Sequence, residues 1–329
     1  MQNANELARN RLFTTAILLS FIVGGPAWAA EPAADTPLVP RLSSDWWPIA
    51  GQPDLGELTG TKQQPVDFAV WQAADGTWQL WSCIRGTKCG GKSRLFYGWE
   101  AKSLTDRDWT PAGIKMQADP NVGETAGGLQ APHVIHRGDA FVMFYGDWQH
   151  IALAIGDDGK TFERRLNRAR TVGLFSEEPG ANSRDAIALP VGDELFCYYT
   201  AYPGGKGAVY CRRSQGDLKE WSDSTVVAFG GKAGTNPYSA ECPHVVRVGD
   251  FYYLFRTQKY GENAQSLVYR SSDPLDFGIE DDSRLVASLP VAAPELIELD
   301  GEWFIAALNP GLDGIRIARL EWVTQDQQP

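Results

Sequence analysis

The sequence predicts an all-β chain built as a five-bladed β-propeller with four-stranded blades, and three observations carry that prediction. From Trp46 onward, short alternating or aromatic runs are separated by Gly, Asp and Asn turns, and helical periodicity is hard to find. A strand, a glycine turn and an aromatic strand are then written five times. The copies are VDFAVWQAADGTWQLW from Val66, APHVIHRGDAFVMFY from Ala131, RDAIALPVGDELFCYY from Arg184, CPHVVRVGDFYYLF from Cys242 and APELIELDGEWFIA from Ala293. Their turn glycines, Gly76, Gly138, Gly192, Gly249 and Gly301, are spaced by 62, 54, 57 and 52 residues. Finally, a second cassette follows each hairpin, ending at Trp109, Phe162, Trp221 and Phe277, with a fifth copy cut short at Val323. Two strand pairs per unit, repeated radially, make propeller blades. A pair of β-sandwich domains joined near residue 170 is the alternative, but it leaves the near-constant spacing unexplained.

In chain order, residues 1–29 read as a signal peptide. Arg9 and Arg11 precede the apolar run from Leu12 to Val23, and Ala27-Trp28-Ala29 offers a small-x-small cleavage site. The run is too short and wrongly flanked for a transmembrane span, so no stable membrane anchor is expected and the mature chain is placed outside the cell or in the periplasm. Residues 30–45, rich in Pro, Ala and Asp, read as a flexible lead-in. Residues 46–323 then form a single domain, with 324–329 as a tail. Because the fifth unit is truncated, the segment near Trp46 is expected to supply its missing outer strand and close the ring, which removes exposed strand edges.

The 329-residue chain has a net charge of −11; without residues 1–29 it holds 28 basic and 40 acidic residues. Such a surface repels nucleic acid and anionic lipid, which excludes those partners but not a neutral sugar. A secreted chain with five cysteines invites disulfides. Cys83 with Cys89, and Cys197 with Cys211, are each expected to pair within their own hairpin. Cys242 is left over; His244 shares its strand face, but a buried unreactive thiol is the simpler reading.

In a propeller the first strand of each blade lines the central channel, and its N-terminal end opens onto one face. Aligned on the turn glycine, the five heads are Val66-Asp67-Phe68, Leu129-Gln130-Ala131, Arg184-Asp185-Ala186, Glu241-Cys242-Pro243 and Ala292-Ala293-Pro294. Three carry an acid: Asp67, Asp185 and Glu241. An acid at the start of an apolar strand is partly desolvated, and three converging on one axis raise one another's pKa, which prepares a general acid. For each of them the plainer alternative is a strand-end acid capping a turn.

Arg184-Asp185 and Glu241-Cys242-Pro243 resemble the Arg-Asp-Pro and Glu-Cys-Pro motifs of glycoside hydrolase family 32. The wider superfamily of five-bladed propeller glycoside hydrolases, family 43 included, is similar in placing three acids at the channel mouth. The resemblance covers Val66 to Val323 and keeps the order Asp, Asp, Glu. The departures are plain. Asn-Asp-Pro-Asn-Gly of family 32 is absent around Asp67, Ala186 stands in place of Pro, and no C-terminal sandwich follows the fifth blade. The single-domain layout with Ala-Pro-His and Ala-Pro-Glu strand starts looks more like family 43. The resemblance implies that Glu241 is the general acid and that Asp185 supports the charged transition state. It implies that Asp67 is a nucleophile with retention (family 32) or a general base with inversion (family 43). Carboxyl separations of about 5 Å and about 6.5–9.5 Å distinguish the two.

Around the acids, Arg184 is expected to bind a hydroxyl or fix Asp185, and Gln130 to hold a hydroxyl. His133 and His244, each after a Pro, either donate to the sugar or support the inner strands. Trp71 and Trp148 are candidates for stacking on a sugar face, and Arg256 for the rim. No metal-ligand spacing and no clear basic phosphate pocket is read, so neither cofactor nor metal is expected. The expected function is hydrolysis of furanosidic or related linkages in plant or algal glycans by a monomer. A non-catalytic carbohydrate-binding propeller and a structural or interaction propeller are the alternatives.

Overall fold

The computed structural model describes residues 37–325, so the expected signal peptide lies outside the described residues. The strands in chain order begin with β1 (Leu38–Leu42) and β2 (Trp47–Ala50). Blade one holds β3 (Gln64–Gln72), β4 (Trp78–Arg85), β5 (Leu95–Ala101) and β6 (Thr110–Met116). Blade two holds β7 (Gln130–Arg137), β8 (Ala140–Gly146), β9 (Ile151–Gly156) and two short outer pieces, β10 (Glu163–Arg164) and β11 (Gly173–Phe175). Blade three holds β12 (Arg184–Val191), β13 (Glu194–Ala201), β14 (Ala208–Ser214) and β15 (Thr225–Phe229). Blade four holds β16 (Glu241–Val248), β17 (Phe251–Lys259), β18 (Gln265–Ser271) and β19 (Leu285–Leu289). Blade five holds β20 (Glu295–Leu299), β21 (Glu302–Leu308) and β22 (Ile315–Thr324). All ladders within the blades are antiparallel.

The repeat is thus a five-bladed propeller. Its innermost strands touch in the closed order β3, β7, β12, β16, β20 and back to β3. Each hairpin turn carries its glycine at positive φ, from 58° at Gly249 to 82° at Gly76. A Cβ there would meet nothing within 4 Å, so the turn's backbone conformation, not crowding, selects glycine. Apolar clusters fill the wedges between blades: Tyr198, Val227 and Leu254 between blades three and four, and Phe255, Ile305 and Leu320 between four and five. Trp109 is buried there too, its indole donating to the Asp106 carbonyl. Among the described residues no helix is long and apolar enough to cross a membrane.

Closure comes from the N-terminal side, through more chain than the sequence reading assigned. β2 pairs with β22 over Trp47–Ala50, and β1, inside the span read as a flexible lead-in, pairs with β22 from Leu38↔Thr324 to Leu42↔Leu320. Val39 is fully buried, and the Tyr253 hydroxyl donates to the Leu38 carbonyl at 3.0 Å. The alternation Leu-Val-Pro-Arg-Leu is short and broken by a proline, so only its partner strand reveals it.

The expected disulfides are absent: all five cysteines are free thiols. Cys197 lies opposite Arg212 and Cys211 opposite Tyr198, so the two thiols project from opposite faces of blade three. Cys83 instead donates to the Leu129 carbonyl of blade two at 3.3 Å, and Cys89 to the Arg94 carbonyl at 3.3 Å.

Val39→Asp places a charge in the closing seam. It is expected to lower the unfolding free energy by about 2–4 kcal/mol in urea titrations. A change below about 0.5 kcal/mol would mean that β1 does not help to hold the ring.

Candidate active site

The strand heads share a local distortion. Asp67, Ala131, Asp185, Cys242 and Ala293 all have positive φ, between 37° and 55°. In the first four blades this residue is the extra one of a β-bulge: the ladder slips between Val66 and Phe68, Gln130 and His133, Arg184 and Ile187, Glu241 and His244. A left-handed non-glycine residue costs about 1–2 kcal/mol, and a bulge re-aims the side chain it carries. Here all five such residues line one small space on the channel axis. The equivalence also corrects the sequence alignment in blade two, where Ala131, not Gln130, matches Asp67 and Asp185. Gln130 matches Arg184 and Glu241, one step nearer the mouth.

Hydrogen bonds between blades hold the heads. The residue opposite the head donates into the next blade: Cys83, opposite Val66, to the Leu129 carbonyl, and Thr200, opposite Arg184, to the Ala240 carbonyl. Thr257, opposite Glu241, accepts from the Ala293 N–H at 3.0 Å. The corresponding residue of blade two is Gly146, where an added Cβ would come within 3.4 Å of the Arg184 backbone.

The three acids then meet. Asp67, Asp185 and Glu241 line one cavity of about 410 Å³ with Gln130, Trp148 and Arg184. Arg184 bridges two of them, with Nη2 at 2.8 Å from Glu241 Oε1 and Nε at 3.6 Å from Asp185 Oδ2. Asp185 Oδ2 also accepts from the Cys242 N–H at 3.0 Å. Asp67 has Arg94 Nη1 at 3.7 Å and accepts from the Cys242 thiol at 3.3 Å, which itself lies 3.3 Å from the Tyr260 hydroxyl. Cys242 is therefore more than packing: its thiol touches a carboxylate. Burial, with the surrounding acids, pushes that thiol well above its ordinary pKa, so it acts as a donor. Asp67, Asp185 and Cys242 bring an oxygen, an oxygen and a sulfur within 4.8 Å of one another, the one set among the described residues with metal-ligand geometry.

Burial, with repulsion from Asp185, raises Asp67 from 3.8 to about 6, against the opposing pull of Arg94. Glu241 is raised as well, by burial first and Asp185 next, with Arg184 opposing. Three buried acceptors that line the cavity have no protein partner: Gln130 Oε1, Asn182 Oδ1 and Asp185 Oδ1.

Four expected binding residues lie elsewhere. Trp71 is buried between blades one and two, its indole donating to the Gly159 carbonyl and its ring edge-on to Trp81 and Phe162. Arg256 is 1% exposed, donating to the Ser239 and Gly234 carbonyls, so it fixes a loop and is not itself at the rim. That loop carries Tyr238, which reaches the cavity rim. His244 accepts from the Leu296 N–H at 3.2 Å and has Nδ1 at 3.4 Å from Glu295. His133 is held near pKa 4 by burial. Both occupy the position two residues below the bulge residue, so they face the channel interior, as Glu295 does in blade five. Conversely, the sequence reading missed Arg85, Arg94, Asn182, Tyr202, Tyr238 and Tyr260. Tyr202 and Tyr260 each directly follow the second strand of a blade, which ends beside the first strand's head in any antiparallel pair; that adjacency was the available signal. A larger groove of about 910 Å³, near Leu166 and Leu218 at the outer edges of blades two and three, contains none of the five heads.

Because the folded chain favours protonated Asp67, this residue lowers stability increasingly as pH rises from about 4 to about 6, and by a constant amount above. Asp67→Asn is thus expected to raise the unfolding free energy by about 1–3 kcal/mol at pH 7 and to change it little at pH 3.5. Denaturant melts at both pH values test this; an equal effect at both contradicts it.

No known family model matches the chain, and no curated protein matches it in sequence. Solved structures match its fold. A thermostable family-43 glycoside hydrolase superposes with TM-score 0.59 at 18% identity, over 82% of this chain and 97% of that one. The endo-arabinase from Bacteroides thetaiotaomicron VPI-5482 gives 0.60 at 13% identity, over 81% and 97%. The Bombyx mori family-32 beta-fructofuranosidase gives 0.59 at 17% identity over 84% of this chain, which spans 62% of that enzyme. At such identities the likeness establishes architecture: this chain has the five-bladed propeller fold of glycoside hydrolases of families 43 and 32.

Proposed function

We propose that this protein is a secreted glycoside hydrolase acting on furanosidic or related linkages of plant or algal glycans. The observation that carries the reading is the meeting of Asp67, Asp185 and Glu241, from three blades, in one polar cavity. The orphaned oxygens of Gln130, Asn182 and Asp185 are acceptors that call for hydroxyl donors, which a sugar supplies in number. The family-43 hydrolase, the endo-arabinase and the beta-fructofuranosidase that share the fold support the same class of reaction.

In this reading Glu241 donates its proton to the glycosidic oxygen as the bond to the anomeric carbon breaks. Burial and the neighbouring Asp185 keep that proton available. Asp67 acts ionised, with Arg94 and the Cys242 thiol favouring its charge. It either attacks the anomeric carbon or takes a proton from the attacking water. Asp185, fixed by Arg184 and the Cys242 N–H, supports the positive charge that develops on the sugar. Mutually repelling carboxylates do not ionise over one range, and the reading requires the state in which Asp67 is charged and Glu241 protonated.

A non-catalytic carbohydrate-binding propeller is the second reading, and one contact favours it: Arg184 at 2.8 Å stabilises the charged form of Glu241. A panel of nitrophenyl glycosides and polysaccharides, run on wild type, Glu241→Gln and Asp67→Asn, separates the two. Hydrolysis is expected to fall by about 10²–10⁴-fold in Glu241→Gln. Its pH profile is expected to lose activity on the acid side near pH 6 as Asp67 takes up a proton. Equal rates in wild type and Glu241→Gln sink the general-acid role, and sugar binding without turnover in all three proteins supports the second reading. The anomer formed first, read by NMR, gives retention or inversion.

A further inference from the structure

The cations of this protein are unevenly placed. Against a net charge of −11, the ten residues Arg85-Gly-Thr-Lys-Cys-Gly-Gly-Lys-Ser-Arg94 carry Arg85, Lys88, Lys92 and Arg94 and no acid. This is the connection between β4 and β5, and it comes to the candidate active site. Arg85 and Arg94 line the same cavity as the three carboxylates. Lys92 Nζ and Arg94 Cζ lie 4.7 Å and 4.9 Å from the ring centre of Trp148, itself a lining residue. Trp148, expected to stack on a sugar face, thus lines the cavity and also has two cations against its ring.

These charges are only partly spent inside the protein. Arg85 directs Nε and Nη2 to the neutral Gln64 Oε1, at 3.0 Å and 2.7 Å. Among the described residues no carboxylate forms an ion pair with Arg85, Lys88 or Lys92; Arg94 has a single, long one, at 3.7 Å to Asp67. Arg184 is occupied by Glu241 and Asp185. The cavity is lined by three guanidiniums and three carboxylates, and Lys92, against Trp148, adds a fourth cation beside it.

The segment is also built to hold position. Lys92 N–H donates to the Ala126 carbonyl and Arg94 N–H to the Gly127 carbonyl, both at 2.9 Å. The backbones approach so closely that a Cβ on Gly91 would lie 1.9 Å from the Ala126 oxygen, and one on Gly127 2.2 Å from the Gly90 oxygen. Trp148 keeps its place with φ at 79°, a strained value for a bulky residue. Cations fixed before a ligand arrives lose little freedom on binding it.

We propose that the substrate of this site carries an anionic substituent, a carboxylate or a sulfate ester, which Arg85, Lys92 and Arg94 hold beside the scissile sugar. The proposal rests on the glycosidase reading for the bond that is cut, but the anion recognition stands apart from it. Guanidinium forks suit the paired oxygens of both groups, and the negative remainder of the surface rejects such ligands elsewhere.

The test uses the full chain with Glu241→Gln for calorimetric binding, and wild type for turnover. Three probes of equal length are compared: a uronic-acid oligosaccharide, its carboxyl-reduced neutral form, and a sulfated oligosaccharide. The charged probes are expected to bind on the order of tenfold tighter than the neutral one, and the preference to shrink in 0.5 M salt (about a 4 Å Debye length). Adding Lys92→Gln, or Arg85→Gln, is expected to bring the ratio close to one. Preference for one charged probe over the other identifies the group. Equal binding of charged and neutral probes, no binding of any, or a preference untouched by both substitutions overturns the proposal. Charge-dependent binding without turnover keeps it while removing the hydrolase reading; turnover of the neutral probe without charge preference does the reverse.

Discussion

Everything at the mouth of this propeller depends on one backbone feature, the left-handed residue at the head of each innermost strand. A regular strand would alternate its side chains between the two faces of the blade. A left-handed residue breaks that alternation at the head of every blade, as a bulge in the first four, and five side chains are aimed at the axis. Two are carboxylates and one is a thiol that bonds to a carboxylate, so the strain is stored where charge has to be gathered. The ring tolerates it because the neighbouring position is tied across the blade boundary, by Cys83, Thr200 and Thr257 in turn. This also gives Cys83 a reason to be a thiol, since a disulfide would take its proton and its reach to Leu129.

The architecture was legible because it is repeated. Five glycine turns and five aromatic second strands form a signal that no single copy supplies, and the truncated last unit foretold closure by the N-terminal segment. β1 was illegible for the opposite reason: five residues around a proline mean little until β22 is seen to need a partner. The paired-cysteine reading failed on a detail of register. Neighbouring strands put Cys197 and Cys211 one rung apart, and one rung is the difference between the same face and opposite faces.

The site was legible in its acids and illegible in its cations. Asp67, Asp185 and Glu241 stand at strand heads, where an acid before an apolar run is conspicuous. The bulge, however, is invisible to a pattern of period two, and hairpin length differs between blades. Ala131, Asp185 and Cys242 each stand seven residues before their turn glycine, yet blade two was set one residue early because Gln130 is the polar residue there, which put it level with Asp67. Trp71 followed the strand alternation correctly and still ended in the core, because the face it shares with Ala69 packs against blade two. Arg85 and Arg94 are far from the heads in sequence and arrive only because the second strand of a blade ends where the first begins.

The corrected alignment changes how the carboxylates divide the work. Asp67 and Asp185 share the bulge position and look down the axis, toward the Cys242 N–H and thiol. Glu241 shares the position of Arg184, one residue nearer solvent, and those two side chains meet at 2.8 Å. The protein thus separates its acids by one backbone step, keeping two on the channel axis, where burial makes Asp67 resist charge, and one at the mouth against a guanidinium. Burial raises Glu241 and Arg184 lowers it, so its proton affinity is set by a balance that a ligand is able to tip. A sugar that excludes water strengthens the first influence, and a hydroxyl that draws off Arg184 weakens the second. Both changes favour the protonated acid, so occupancy of the cavity would itself prepare Glu241 to donate.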